Sequence, residues 1–262
     1  MVDPTHQALV RAAFDRAAPT YDAAAAVQQE ICDDLLELAK RHPPAHTGCF
    51  LDAGCGTGRG ALRIAAQINP RHHVSLDFAP GMLNAMAPMQ RSARLCADMQ
   101  SLPLRGASVD IIWSSLAIQW CEPSLALKEF ERVLAPKGCA WIATLGPRTL
   151  YELKAAFGQV DTARHVIEFH AIEHWLATAR HAGLIVDEAR QIDRAATAPT
   201  LSALLKDIKA IGAHAVGGGR RTKPLGKRGW HQLESAYETH RRADGLLPAT
   251  YDVLLICLRK AP

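Results

Sequence analysis

The sequence contains no apolar run of the ~18 residues that a membrane-spanning helix needs. Its seven cysteines stand apart along the chain, and no two of them form a Cys-x-x-Cys pair. An odd number of scattered cysteines argues against a disulfide framework and against a zinc site, and it favours reduced thiols. Residues 1–16 lack the apolar segment of a signal peptide. We therefore expect a cytoplasmic protein with no membrane partner and no metal.

Aromatic residues are scarce, at 6% of the 262 residues, whereas hydrophobic residues reach 48% and are sufficient for the core of one large domain. The net charge of +4 is unevenly placed. From residue 201 onward there are 11 Lys and Arg against 5 Asp and Glu, while the preceding residues have 19 against 21. The C-terminal quarter is therefore the part that we expect to meet an acidic partner.

The most informative stretch is a glycine-rich segment at 51–60, which reads Leu-Asp-Ala-Gly-Cys-Gly-Thr-Gly-Arg-Gly. An apolar run leads into Asp52, and three alternating glycines follow: Gly54, Gly56 and Gly58. A dinucleotide-binding loop has Gly-x-Gly-x-x-Gly, but the third glycine of that pattern would fall on Arg59. The spacing resembles that of S-adenosylmethionine-dependent methyltransferases. The resemblance implies that the loop cradles the amino-acid end of the cofactor and that Asp52 lies near its ammonium group.

Short apolar segments alternate with helical patterns along most of the chain. Strands are predicted at 49–53, 73–77, 94–97, 109–114, 139–145, 184–192 and 250–258. Helices are predicted at 6–18, 27–41, 124–134, 149–157, 171–182, 200–214 and 229–242, and one more begins at Pro80. The alternation predicts an α/β protein with a parallel sheet that is covered by helices on both faces. The resemblance implies the Rossmann-like, mostly parallel seven-stranded sheet of class I methyltransferases.

Four segments follow from this pattern. They are a helical lid at 1–42, an α/β core at 43–198, a basic helical insertion at 199–247 and a last core strand at 248–262. We expect the insertion to pack over the edge formed by the carboxyl ends of the strands, because ligands of open α/β sheets bind there.

Acidic residues follow the second and third predicted strands. An acid at the position of Asp77 accepts hydrogen bonds from both ribose hydroxyls in nucleotide-binding α/β units. The resemblance implies that Asp98 meets the adenine amine and that the backbone of Met99 meets the ring. Asp110 begins a strand and is expected to be structural. The predicted cofactor is S-adenosylmethionine, which leaves as S-adenosylhomocysteine, and the remaining cofactor-binding candidates are Phe78, Met82 and the small Ser114.

Three further motifs narrow the resemblance: Ala-Ile-Gln-Trp-Cys at 117–121, Lys-Ala-Ile-Gly-Ala at 209–213 and Pro-Ala-Thr-Tyr at 248–251. Across 14–258 the chain resembles the malonyl-acyl-carrier-protein O-methyltransferases of biotin synthesis. The resemblance implies methylation of the free carboxylate of a malonyl thioester, which gives the ester that primes pimeloyl synthesis. A carboxylate has a reference pKa of about 4 and is already ionised at neutral pH, so we expect no general base.

A bound carboxylate needs a cationic or hydrogen-bonding clamp. The residues that we expect to line the substrate pocket or hold the carboxylate are Tyr21, Gln119, Trp120, His165 and Lys209, and a structural role stays open for each. Acyl carrier proteins are acidic, and 206–242 contains nine Lys or Arg against three acids. The predicted docking residues are Arg220, Arg221, Lys223, Lys227, Arg228, Arg241 and Arg242.

Other functions stay open at this point. The substrate could be another small carboxylic acid or RNA, although the basic segment has only Trp230 and Tyr237 as aromatic neighbours for stacking on bases. A scaffold that has lost catalysis is disfavoured, since such a protein has no physical need for all three strand-end acids. We expect a monomer that binds no nucleic acid.

Overall fold

A seven-stranded sheet forms the centre of the computed structural model, which describes residues 4–88, 92–211 and 225–262. The strand order is β3-β2-β1-β4-β5-β7-β6. Strands β1 to β5 pair in parallel, and β7 runs antiparallel to both of its neighbours. The strands are β1 Cys49–Ala53, β2 His72–Asp77, β3 Ser92–Cys96, β4 Val109–Ser115, β5 Leu134–Leu145, β6 Leu184–Ala198 and β7 Leu247–Lys260. This arrangement confirms the predicted fold class.

Ten α-helices are found in the described residues: α1 Pro4–Ala17, α2 Tyr21–Ala24, α3 Ala26–Arg41, α4 Arg59–Ile68, α5 Pro80–Ala85, α6 Pro123–Val133, α7 Tyr151–Gly158, α8 Ile172–His181, α9 Leu201–Ala210 and α10 Gly226–Glu238. Pro80 and Pro123 each stand at the first position of a helix, where the missing N–H breaks no hydrogen bond. None of these helices has both the length and the hydrophobicity that crossing a membrane requires.

Both faces of the sheet are covered by apolar side chains. On one face α6 and α8 contribute Phe130 and Trp175 to a cluster with Ile112 of β4. On the other face α3 packs over Trp113 and Trp141. Because parallel strands are buried on both sides, they need apolar residues at successive positions, which explains the short apolar segments of the sequence. A third cluster joins α7, α9 and α10 to the start of β7.

Three strands are longer than the sequence predicts. β5 begins at Leu134 rather than 139, β6 reaches Ala198 rather than 192, and β7 begins at Leu247 rather than 250. The first part of β7 pairs with β6 alone, since its pairing with β5 starts at Val253. Many side chains of β6 are only half-buried, so the apolar pattern that marks a central strand is absent there. Pro248 is tolerated because it stands at the beginning of the strand.

Candidate active site

The glycine loop turns tightly between β1 and α4. Gly54 N and Cys55 N both donate to Leu76 O, at 2.8 and 2.9 Å, which ties the loop to the end of β2. Gly54 and Gly58 have φ values of 81° and 82°, in the left-handed region that favours glycine. A Cβ at Gly54 would lie 2.1 Å from the Cβ of Ala117, and a Cβ at Gly58 would lie 2.6 Å from Cε of Met86. The fold therefore requires glycine at both positions.

Asp77 links the end of β2 to this loop. Its Oδ2 accepts from Gly56 N at 2.9 Å, and its Oδ1 accepts from Ala79 N at 2.8 Å. Burial raises the pKa of the Asp77 carboxyl, and the hydrogen bonds from Ala79 and Gly56 act in the opposite direction. Each carboxylate oxygen has a further lone pair, so the group can accept from a ligand as well.

Asp52 is a buried carboxyl whose charge the described residues do not compensate. Its side chain is 2% exposed, and its Oδ2 has no hydrogen-bond partner within the described part of the chain. Burial, followed by the nearby charge of Asp77, raises the pKa of Asp52 well above its ordinary value. An unpaired buried carboxylate is costly, and a cationic group bound beside it would remove that cost.

Three cavities meet at the carboxyl ends of the strands. The aspartate cavity lies between α1 and the ends of β2, β3 and β4, and its lining includes Asp77, Phe78, Met82, Asp98 and Met99. The loop cavity lies on the other side of the glycine loop and is lined by Asp52. Gly54 and Gly56 line both. The apolar cavity, of about 440 Å³, extends from α3 to α7, α9 and α10.

Two predicted cofactor-binding residues lie away from these cavities. Ser114 is fully buried and lines none of the three, whereas its neighbour Ser115 lines both the aspartate and the loop cavity. Successive side chains of a strand point to opposite faces, so one of the two serines faces the ligand side and the other the core. Gly58 also lines none of the three cavities, and its contribution is the left-handed backbone conformation that shapes the loop.

Helix α1 covers the aspartate cavity. Gln7 Nε2 donates to Asp98 Oδ2 at 3.1 Å. Phe14 makes edge-to-face contacts with Phe78 and Trp120, with ring centroids 6.4 and 5.6 Å apart. The two ends of α1 therefore contact both sides of the cavity.

All five predicted substrate-binding residues line the apolar cavity: Tyr21, Gln119, Trp120, His165 and Lys209. Tyr21 also lines the other two cavities, so it stands where they meet. His165 Nε2 lies 2.8 Å from Asp161 Oδ1, and its ring stacks on Phe157 with centroids 3.5 Å apart. These contacts fix the imidazole ring in the wall.

Four other polar residues line the apolar cavity and were not predicted from the sequence as site residues: Gln28, Thr149, Arg164 and Tyr251. Tyr251 belongs to the Pro-Ala-Thr-Tyr motif, and that motif was the available signal. Gln28 is one polar residue among several on α3 and gave no signal. The wall also contains Leu116 and Leu150, each with a φ of 54°, which is strained for a residue with a side chain. Such strain is concentrated at functional sites.

Residues 51–142 match the family described as Methyltransferase domain. The malonyl-acyl-carrier-protein O-methyltransferase of Dechloromonas aromatica (strain RCB) is 42% identical over 97% of this chain and 95% of its own. That of Laribacter hongkongensis (strain HLHK9) is 43% identical over 95% and 88%. The chain belongs to the malonyl-acyl-carrier-protein O-methyltransferase family. A protein of Bacillus halodurans C-125 described as a methyltransferase shares the fold, with a TM-score of 0.62 at 16% identity over 88% of this chain and 100% of its own.

Fold and family together imply S-adenosylmethionine as the methyl donor, and the residues present fit it. The unpaired oxygen of Asp52 suits the ammonium group of the amino-acid end. The tight glycine loop leaves the adjoining space free of Cβ atoms. Asp77 and Asp98 are acceptors at the ends of neighbouring strands, as the hydroxyl and amine groups of an adenosine need.

The predicted docking residues divide into three groups. Arg220, Arg221 and Lys223 lie outside the described residues. Lys227 and Arg228 are exposed in the first turn of α10. Arg241 is held by Glu238 and by the carbonyls of Pro199 and Gly245, and Arg242 pairs with Asp244 at 3.3 Å. The last two arginines therefore also stabilise the turn that follows α10.

Proposed function

We propose that the protein transfers the methyl group of S-adenosylmethionine to the free carboxylate of a malonyl thioester carried by an acyl carrier protein. One observation carries the proposal. The cavities beside the glycine loop and the strand-end acids adjoin an apolar cavity that is lined by all five candidate substrate residues. The reaction is the one for which the similar proteins of Dechloromonas aromatica and Laribacter hongkongensis are named.

The chain has to align the reactants rather than move a proton. When bound, S-adenosylmethionine supplies a methyl group on a sulfonium, which the carboxylate oxygen takes up as the C–S bond breaks and its electron pair stays on sulfur. The carboxylate is already ionised at neutral pH, so it needs no base. Tyr21 lies where all three cavities meet, and Phe14 lines the aspartate and apolar cavities beside it.

The apolar cavity fits a thioester arm better than a nucleotide chain. Its lining is mainly aliphatic and aromatic, with side chains such as Leu150, Phe157 and Leu233. Leu225 and Trp230 at the start of α10 also belong to the lining, so the exposed Lys227 and Arg228 lie beside the cavity. Cations in the first turn of a helix oppose its dipole at a cost of about 0.3–1 kcal/mol each. Two cations at a position where they destabilise the helix suggest a role other than stability, and binding of an acidic carrier is such a role.

Transfer of a labelled methyl group tests the proposal. The protein is incubated with S-adenosylmethionine carrying a labelled methyl group and with malonyl-carrier protein, acetyl-carrier protein or bulk RNA. We expect label on the malonyl carrier alone, in a form that mild alkali releases as methanol, because an ester hydrolyses under those conditions. Label on RNA, or alkali-stable label on the carrier, would contradict the proposal.

A further inference from the structure

Only a few polar side chains border both the cofactor side and the substrate side of the site. Among the described residues, Tyr21 lines all three cavities, Gln28 lines the loop and apolar cavities, and Trp120 lines the aspartate and apolar cavities. The cationic candidates Arg164 and Lys209 line the apolar cavity alone, as does His165. The accepting carboxylate must lie beside the methyl group, at the boundary between these cavities. The residues that border this boundary are uncharged.

Tyr251 of β7 also lines the apolar cavity alone, but it belongs to the same apolar cluster as Val27 of α3, next to Gln28. Gln28 Oε1 is buried and has no hydrogen-bond partner among the described residues. Tyr251 is 5% exposed, and burial raises its pKa to about 12, while the nearby Gln28 side chain acts in the opposite direction. The phenol therefore stays protonated at neutral pH. Both residues line the apolar cavity, so a Gln28 amide that donates to the phenol oxygen leaves the phenol proton for an acceptor in the cavity.

We infer that Tyr21 and Tyr251 donate hydrogen bonds to the substrate carboxylate, and that Gln28 orients the hydroxyl of Tyr251. This inference rests on the proposed function, and it identifies the carboxylate clamp as a pair of neutral donors rather than a cation. Arg164, which is 45% exposed, and Lys209 would then act on the carrier-bound arm farther out.

Neutral donors suit this reaction for an electrostatic reason. The methyl donor is itself a cation, and the attraction between sulfonium and carboxylate helps to bring the reactants together. A lysine or arginine at the junction would repel the sulfonium and would also stabilise the carboxylate charge that is lost in the transition state. Phenol and amide groups orient the carboxylate without adding a positive charge.

Selective binding of a carboxylate is the property that tests the clamp. The probes are malonyl-pantetheine and acetyl-pantetheine, which differ by the carboxylate, and each is titrated into protein that holds S-adenosylhomocysteine. We expect the wild type to bind the malonyl form at least about tenfold more tightly, since a hydrogen bond to a charged group is worth about one to two powers of ten. Tyr251→Phe should lower this ratio about tenfold, because Tyr21 alone then donates, while leaving the affinity for acetyl-pantetheine within about twofold.

Matched variants separate this role from a structural one. Tyr151→Phe and Gln67→Leu change exposed residues outside the three cavities and should keep the wild-type ratio. Gln28→Leu should lower the ratio less than Tyr251→Phe does. The inference is wrong if Tyr251→Phe keeps the ratio, or if Lys209→Met and Arg164→Met abolish it instead. Failure of the proposed function would look different, because the wild type itself would then show no preference for the malonyl form.

Discussion

At the scale of single residues, Asp52 is a buried acid whose surroundings disfavour its ionised form. The folded protein holds the Asp52 proton more tightly than the unfolded chain does, because burial and Asp77 raise its pKa. Protonation therefore stabilises the fold, and this stability is lost as pH rises from the ordinary aspartate pKa of about 4 through the raised value.

We expect the ionisation of Asp52 to lower the melting temperature of the cofactor-free protein as pH rises across that window. This contribution to the fall in melting temperature should be absent in Asp52→Asn, which has no ionisable group at this position. S-adenosylmethionine should suppress it in the wild type, because its ammonium favours the ionised form. Scanning calorimetry from pH 4 upward, with and without the cofactor, measures both effects. Identical pH profiles for wild type and Asp52→Asn would contradict this account.

A second prediction at this scale concerns the rate of methyl transfer. No proton moves in the chemical step, and burial keeps the phenols of Tyr21 and Tyr251 protonated by raising their pKa values. We expect the single-turnover rate constant to be flat from about pH 6.5 to 8.5. His165→Gln should keep the flat shape. A bell-shaped wild-type profile that disappears in His165→Gln would instead make His165 an acid or base.

At the scale of secondary-structure elements, α1 and α2 are held to the core by a few polar contacts. Asp15 Oδ1 accepts from Gly81 N at 2.7 Å at the start of α5. Asp22 accepts from Thr57 Oγ1 at 2.7 Å and pairs with Arg59 Nε at 2.9 Å in the glycine loop. The same helices carry Gln7 and Phe14 over the aspartate cavity. We therefore expect the cofactor to exchange when these contacts open.

Weakening these contacts should speed release of the product cofactor. A hydrogen bond contributes about 0.5–1.5 kcal/mol, so we expect Asp15→Ala with Asp22→Ala to release S-adenosylhomocysteine about tenfold faster. Stopped-flow displacement measures the rate. Glu37→Ala removes an exposed acid on the outer face of α3 and serves as the control. Unchanged release in the double variant would mean that α1 and α2 do not limit exchange.

The elements also show what could be predicted from the sequence. Asp52, Asp77 and Asp98 were predictable as one set, since the carboxyl ends of parallel strands share an edge. The sequence could not decide whether Ser114 or Ser115 faces the ligand. A shift of one residue along a strand moves each side chain to the opposite face of the sheet. Gln28 and Tyr251 come from α3 and β7, and only the folded chain brings these elements together. Asp110 was predicted to be structural, and its Oδ2 accepts from Cys49 N at 2.7 Å.

At the scale of the whole molecule, the positive charge beside the apolar cavity should govern how fast a carrier protein arrives. We expect Lys227→Glu with Arg228→Glu to lower kcat/KM for malonyl-carrier protein roughly tenfold at low salt and to flatten its salt dependence. Turnover of a malonyl-pantetheine mimic should fall much less. Steady-state assays at several salt concentrations measure both.

Arg71→Glu with Arg105→Glu is the control for this prediction. Both arginines are exposed and precede the strands β2 and β4, at the sheet edge opposite the cavities. The control should leave both substrates unaffected. Equal losses on carrier and mimic in the α10 variant would show that the start of α10 belongs to the methyl-transfer site itself.

The position of β7 has a consequence for folding during synthesis. This strand lies between β5 and β6 in the sheet but follows both of them in the chain. Until it emerges from the ribosome, β5 and β6 lack their shared neighbour, and the cavity wall lacks Tyr251. Such long-range pairing is slow, and strand edges that wait for a partner are open to aggregation. The nascent chain must therefore protect two unpaired strand edges until β7 is synthesised, and a chaperone that binds apolar β-strands would find its target at that stage.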